Sequence, residues 1–128
     1  MQNSLSFNEP IKSPQMLFGS DNINDFGNRV KSCRMEGDSM QPTIEPCEAV
    51  AFVDCGGRVL TPGIYVFTGD VFGRNCLFIK RIEPLPDGSL KIISDNLHYQ
   101  TFTLNVGEQK DIRIHGRVVA SLAVRRFV

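Results

Sequence analysis

The chain has 128 residues and a mass of 14.3 kDa, which predicts a single domain. Fourteen Lys and Arg balance fourteen Asp and Glu, so no net positive charge is available to hold a nucleic-acid backbone, and DNA binding by this chain alone is disfavoured. Hydrophobic residues make up 41% of the chain, enough for a buried core, and no apolar run approaches the roughly 18 residues of a membrane span. We therefore expect a folded, soluble and cytoplasmic protein without a membrane partner.

The first 31 residues are rich in Asn, Ser, Pro and Gly and have no regular spacing of apolar residues. They contain no two amphipathic helical patterns joined by a short turn, so a helix-turn-helix that reads DNA is not expected in this chain. We predict an irregular N-terminal arm over residues 1–31 and one folded domain over residues 32–128.

From Ser32 onward, short runs of Val, Ile, Phe and Tyr alternate with Gly, Pro and Asp, a pattern typical of a mostly β domain, either a small barrel or a sandwich. The predicted strands are Ser32–Glu36, Glu48–Asp54, Gly63–Thr68, Asn75–Glu83, Ser89–Ser94, Tyr99–Leu104 and Ile112–Arg125. The segment PLPDGS predicts a tight hairpin turn, and TGDVFGRN predicts a second, longer hairpin loop.

The last predicted strand is long and apolar for a chain end. An exposed edge or patch there could pair two copies of the chain, and an interior strand is the alternative. No metal site or cofactor is predicted. The four cysteines include no CxxC pair, and neither His98 nor His115 has neighbours at zinc-ligand spacing.

Lys80 lies in the predicted strand CLFIKRI, where alternation places it on the same face as Phe78 and Ile82. A buried lysine without a carboxylate partner has a lowered pKa and can act as a general base near neutral pH. The alternative is an edge lysine whose stem packs on apolar neighbours while its ammonium reaches water. Alternation by itself does not distinguish the two.

Ser39 lies in MEGDSMQPTI, directly after a predicted strand. Gly37 permits a sharp backbone turn, and Gly37, Met40 and Pro42 form the turn that would support a nucleophilic serine. Such a turn exposes the N–H groups of Asp38 and Ser39, which could donate to the oxygen of a tetrahedral intermediate. The alternative is an ordinary turn or cap serine.

The string GDSMQPTI, followed by the strand lysine of FIKRI, by ISDN and by IHGRVVASL, resembles the LexA-like serine–lysine peptidase family over roughly residues 34–124. This family includes the C-terminal domains of LexA and of phage CI-type repressors, and the mutagenesis protein UmuD. The resemblance implies that Ser39 is the nucleophile, that neutral Lys80 is the general base and later acid, and that the Asp38 and Ser39 amides form the oxyanion hole. It also implies a small, mostly β homodimer that cleaves its own chain at a small-residue–Gly bond when the RecA filament forms after DNA damage.

Three features depart from the family pattern. After GDSMQPTI the family commonly has Gly-Asp, whereas this chain has Pro46-Cys47. The usual scissile bond would fall in MQNSLS, which contains no glycine. Phe18–Gly19 and Phe26–Gly27 carry a bulky residue before the bond, and Cys55–Gly56 is interpreted as a turn within the core. The DNA-binding domain that precedes this unit in the repressors is also not expected here, so DNA contact would require a helix-turn-helix outside this chain.

The leading hypothesis is the autopeptidase and dimerisation domain of a LexA- or CI-type transcriptional repressor. A UmuD-like polymerase accessory is a close variant, and a non-catalytic dimerisation module of a transcriptional regulator is an alternative of a different class. A membrane signal peptidase would require a transmembrane anchor. A Ser-His-Asp triad through His98 or His115 has no sequence feature that would bring either histidine to Ser39.

Overall fold

A computed structural model describes residues 30–123 of the chain. Most of the predicted N-terminal arm, the candidate bonds Phe18–Gly19 and Phe26–Gly27, and the last residues of the final predicted strand lie outside this range. The described residues contain one short helix, a 3-10 turn over Glu108–Asp111, and no helix long enough to cross a membrane. The remainder is strands and connecting turns.

Seven strands form one antiparallel sheet, in the spatial order β1-β2-β7-β3-β4-β5-β6. In chain order they are β1 (Val30–Arg34), β2 (Ala49–Val53), β3 (Gly63–Val71), β4 (Arg74–Pro84), β5 (Leu90–Ile93), β6 (Phe102–Leu104) and β7 (Ile112–Leu122). Each overlaps one predicted strand, so the mostly β fold class is confirmed. The 3-10 turn was not predicted from the sequence.

The two predicted hairpins differ in outcome. PLPDGS is a tight turn, as predicted, in which the Leu85 N–H donates to Ser89 O at 2.8 Å and Gly88 has a φ of 90°. The longer loop predicted for TGDVFGRN is wrong, because β3 and β4 stay paired as far as Val71 and Arg74. Only Phe72 and Gly73 turn the chain, with φ of 51° and 79°, the positive values that match the twist of a two-residue hairpin.

The last strand is not an edge, so that interpretation of it is wrong. β7 lies between β2 and β3 and pairs with both. Each pairing shifts register once, which leaves Val119 extra against β2 and His115 extra against β3, as at β-bulges. The far end of β7 nevertheless exposes apolar side chains, with Val119 57% and Leu122 55% exposed.

Buried apolar side chains form two clusters. The first contains Met35, Met40, Ile44, Val50, Phe52, Val66 and Ile79. The second contains Tyr65, Phe67, Ile82, Leu90 and Ile92. Strand β4 contributes to both clusters, because Ile79 belongs to the first and Ile82 to the second. In the sheet β4 lies between β3 and β5, so Lys80 is not on an edge strand.

Candidate active site

The serine predicted as nucleophile lies on a turn that is anchored in the core. Gly37 begins the turn with a φ of 78°, in the region that favours glycine. Met40 and Ile44 are almost fully buried in the first cluster, and the Ile44 N–H donates to Met40 O at 2.9 Å. Because these two side chains hold the segment after it, Ser39 has a defined position and is 9% exposed. The Gln41–Pro42 peptide bond within this turn is cis.

Lys80 is half-buried on β4, between the neighbouring strands β3 and β5. Its Nζ donates a hydrogen bond to Ser94 Oγ at 2.9 Å and lies 5.3 Å from the centroid of the Tyr99 ring. No carboxylate within residues 30–123 forms an ion pair with it. Desolvation lowers the pKa of Lys80 from its ordinary 10.5, since burial disfavours the charged ammonium. A lysine in this setting releases its proton more readily than a lysine in water.

The segment Ser94–Tyr99 contacts both predicted catalytic positions. Its Asn96 N–H donates to Ser39 O at 3.0 Å, and Asn96 Nδ2 donates to Asp38 O at 2.9 Å. The Tyr99 hydroxyl donates to the Asp38 carboxylate at 2.5 Å, while the Tyr99 ring faces the Lys80 amine. The fold therefore brings the serine turn and the lysine to the same six-residue segment. Within residues 30–123 no hydrogen bond joins Ser39 Oγ directly to Lys80 Nζ.

An ion pair next to the lysine ties the serine turn to the sheet. The Arg81 guanidinium donates to both oxygens of Asp95, at 2.9 and 2.7 Å, and the Thr43 hydroxyl donates to the same carboxylate at 2.5 Å. The hydrogen bond from Arg81, together with the one from Thr43, lowers the pKa of Asp95 below its ordinary 3.8. Asp95 thus links β4 to the chain that follows Ser39.

We predict that Asp95→Asn destabilises the domain near neutral pH and that this destabilisation fades in acid. A carboxyl whose folded-state pKa is depressed contributes stability above its unfolded pKa and loses it as the pH falls through the folded value. The free energy of unfolding, measured by urea denaturation, should therefore differ between wild type and variant near neutral pH and converge well below pH 3.8. The control is Asp70→Asn at an exposed aspartate of β3. A difference between wild type and Asp95→Asn that stays constant with pH would contradict this role.

Asp38 and Ser39, the predicted oxyanion donors, directly follow Gly37 in the serine turn. Neither the Asp38 nor the Ser39 N–H donates to a protein acceptor in the described part of the chain. Their carbonyl oxygens, in contrast, accept hydrogen bonds from Asn96. These two hydrogen bonds tie the serine turn to the segment Ser94–Tyr99.

The structure also describes the two histidines and Cys55. His115 Nε2, on β7, is hydrogen-bonded to Thr68 Oγ1, on β3, at 2.9 Å. Burial lowers the pKa of His115 to about 4. His98 is exposed. Cys55 precedes a turn in which Gly56 and Gly57 have φ of 72° and 73°.

Cys47, at the departure from the family's Gly-Asp, also has a positive φ, of 73°. Cys47 thus has a left-handed backbone conformation, which glycine adopts without strain. Its N–H donates to Met35 O at 2.9 Å, which closes the connection between the serine turn and β2.

Sequence reasoning missed the residues that surround the pair. Ser94, Asn96 and Tyr99 appeared only as part of the ISDN turn and the strand after it. The available signal was a short polar run, Ser-Asp-Asn, immediately after an apolar strand, where side chains are free to bind a neighbouring turn.

These features define a class: a mostly β domain with a core-anchored serine turn and, on β4, a desolvated lysine that forms no ion pair with a carboxylate of residues 30–123. The chain belongs to the Peptidase S24-like family, whose family model matches residues 6–119. This confirms the resemblance to LexA- and CI-type proteins. The chain is also 34% identical over 101 residues to the 26 kDa repressor protein of Escherichia phage HK022. The alignment covers 77% of this chain and 40% of the phage protein.

Proposed function

We propose that this chain is the autopeptidase and dimerisation domain of a CI- or LexA-type repressor, and that it cleaves a peptide bond of its own polypeptide. The observation that carries the proposal is the environment of Lys80. Its amine is desolvated, it has a neutral hydroxyl rather than a carboxylate as hydrogen-bond partner, and it shares the segment Ser94–Tyr99 with the serine turn. Membership of the Peptidase S24-like family and the similarity to a phage repressor support the same assignment.

In the proposed mechanism, neutral Lys80 removes the proton from Ser39 Oγ as the oxygen attacks the carbonyl carbon of the scissile bond. The Asp38 and Ser39 N–H groups stabilise the negative oxygen of the tetrahedral intermediate. Protonated Lys80 then donates its proton to the leaving amine, which leaves Ser39 acylated. Water, deprotonated by Lys80, hydrolyses the ester and restores both groups.

The remaining assignments follow from the family. We propose a cytoplasmic homodimer whose self-cleavage responds to DNA damage through the RecA filament. The balanced charge of the chain supports assigning operator binding to a segment other than these 128 residues. The exposed Val119 and Leu122 of β7 provide apolar surface for contact between two copies.

The test is an incubation of the chain, together with any segment that precedes it in the natural protein, over a series from neutral to alkaline pH. We expect intact mass to give way to two fragments, faster as the pH rises, because alkali increases the fraction of neutral Lys80. Ser39→Ala should stay intact at every pH, and Ser89→Ala, at a serine of similar burial directly before β5, serves as the matched control. Wild type and Ser39→Ala behaving alike would remove catalysis and leave the non-catalytic dimerisation module. That outcome would agree with the segment MQNSLS, which contains no glycine to form the family's usual scissile bond.

A further inference from the structure

We propose that Ser94 is a positioning residue for the base: its hydroxyl holds the Lys80 amine in place in both the protonated and the neutral state. The inference rests on the proposed function, because it assigns a role within the same site. Ser94 is 6% exposed, directly follows β5, and receives the hydrogen bond from Lys80 Nζ at 2.9 Å.

The position of Ser94 follows from the sheet register. Arg81 pairs with Ile93 in the antiparallel ladder of β4 and β5, so Lys80 and Ser94 are the next opposing positions. Directly opposed residues on one face of an antiparallel pair have adjacent side chains. The contact is therefore set by strand pairing, which is more rigid than a contact between two loops.

A hydroxyl suits this place better than a carboxylate or an amide. It accepts a hydrogen bond from an ammonium, and it still accepts one from the N–H of a neutral amine, whose lone pair then remains available for the nucleophile's proton. A carboxylate would favour the ammonium and raise the pKa of the lysine. Ser94 can thus orient the amine without fixing its charge.

Two tyrosines of the described residues also lie next to Lys80. Tyr65 of β3 is the cross-strand partner of Lys80. The Tyr65 hydroxyl donates a hydrogen bond to Thr61 O at 2.7 Å. The centroid of the Tyr99 ring lies 5.3 Å from Lys80 Nζ.

The nearby carboxylates are engaged with other donors. Asp38 accepts a hydrogen bond from the Tyr99 hydroxyl, and Asp95 accepts hydrogen bonds from Arg81 and Thr43. A charged side chain in place of Ser94 would therefore lie beside the amine, at the position that now contacts it.

The experiment compares Ser94→Ala, Ser94→Thr and Ser94→Asp in the full chain by two independent measurements. The first is an NMR titration of the lysine ε-carbons, with the Lys80 signal assigned by its loss in Lys80→Ala. The second is the rate of self-cleavage as a function of pH. The matched control is Ser89→Ala, a serine of similar burial at the other end of β5.

We expect Ser94→Asp to raise the Lys80 pKa by about one unit or more, and to move the cleavage profile to higher pH by the same amount, because an adjacent opposite charge favours the ammonium. Ser94→Ala should lower the alkaline plateau rate about tenfold, Ser94→Thr should restore it, and Ser89→Ala should change neither measurement.

Either of two outcomes would overturn the inference. One is that the Lys80 titration of Ser94→Asp equals that of wild type, and the other is that the alkaline plateau rate of Ser94→Ala equals that of wild type. If the wild-type chain does not cleave at any pH, the proposed function fails, and the titration still decides whether Ser94 holds and tunes the lysine. If cleavage occurs and the Ser94 variants leave both measurements unchanged, only the positioning role is lost.

Discussion

Replacing Lys80 with methionine is expected to reduce self-cleavage about 10³-fold, since a positioned general base typically contributes 10²–10⁴-fold and an unactivated serine is a weak nucleophile. Methionine keeps the length and the apolar stem of the side chain but has no group that accepts a proton. Lys80→Arg should be similarly inactive at every accessible pH, because guanidinium does not lose its proton in this range. The measurement is the first-order rate of fragment formation at the alkaline plateau of the wild-type chain.

The loss should not result from unfolding. Because the pKa of Lys80 is lowered in the folded state, its protonated form is disfavoured there, and wild-type stability rises as the pH increases through that value toward 10.5. Lys80→Met is therefore expected to retain a cooperative urea transition near neutral pH. Lys110→Met, in the exposed 3-10 turn, is the control for loss of a lysine charge. Undiminished cleavage by folded Lys80→Met would remove the lysine from the mechanism.

Gly116→Ala is expected to destabilise the domain by about 3 kcal/mol, near the upper end of what overpacking a core usually costs. A Cβ at this position on β7 would collide with Val53 O and would lie 2.7 Å from the Phe52 ring. Backbone oxygen cannot move aside as a flexible side chain can, so β2 would have to separate from β7. The measurement is the shift in urea midpoint relative to wild type.

The matched control is Gly107→Ala. Gly107 has a φ of −67° and its nearest atom to an added Cβ, Asn105 Oδ1, is 3.4 Å away. We expect its stability to change by less than about 0.5 kcal/mol, since surface substitutions that introduce no strain have effects within this range. Equal midpoints for the two alanine variants would mean that β2 and β7 do not approach as closely as described.

The residues of the candidate site were partly predictable. Ser39 and Gly37 stand out because a Gly-Asp-Ser-Met turn directly after a strand is a local pattern, and Lys80 stands out because it interrupts an apolar row. The desolvation of Lys80 was not predictable. The same alternation fits a lysine that extends to water from an edge strand, and the choice depends on which strands flank β4.

The amino-acid sequence by itself determined the mostly β class, the approximate positions of seven strands, the hairpin at PLPDGS and the family motif, because each depends on residues close together in the chain. Only the tertiary structure decided that β7 lies inside the sheet and that Ser94, Asn96 and Tyr99 surround the serine and lysine. Strand order and cross-strand contacts arise from pairing between segments that are distant in sequence. Their free energy comes from burial and hydrogen bonding across the whole domain, which no local pattern records.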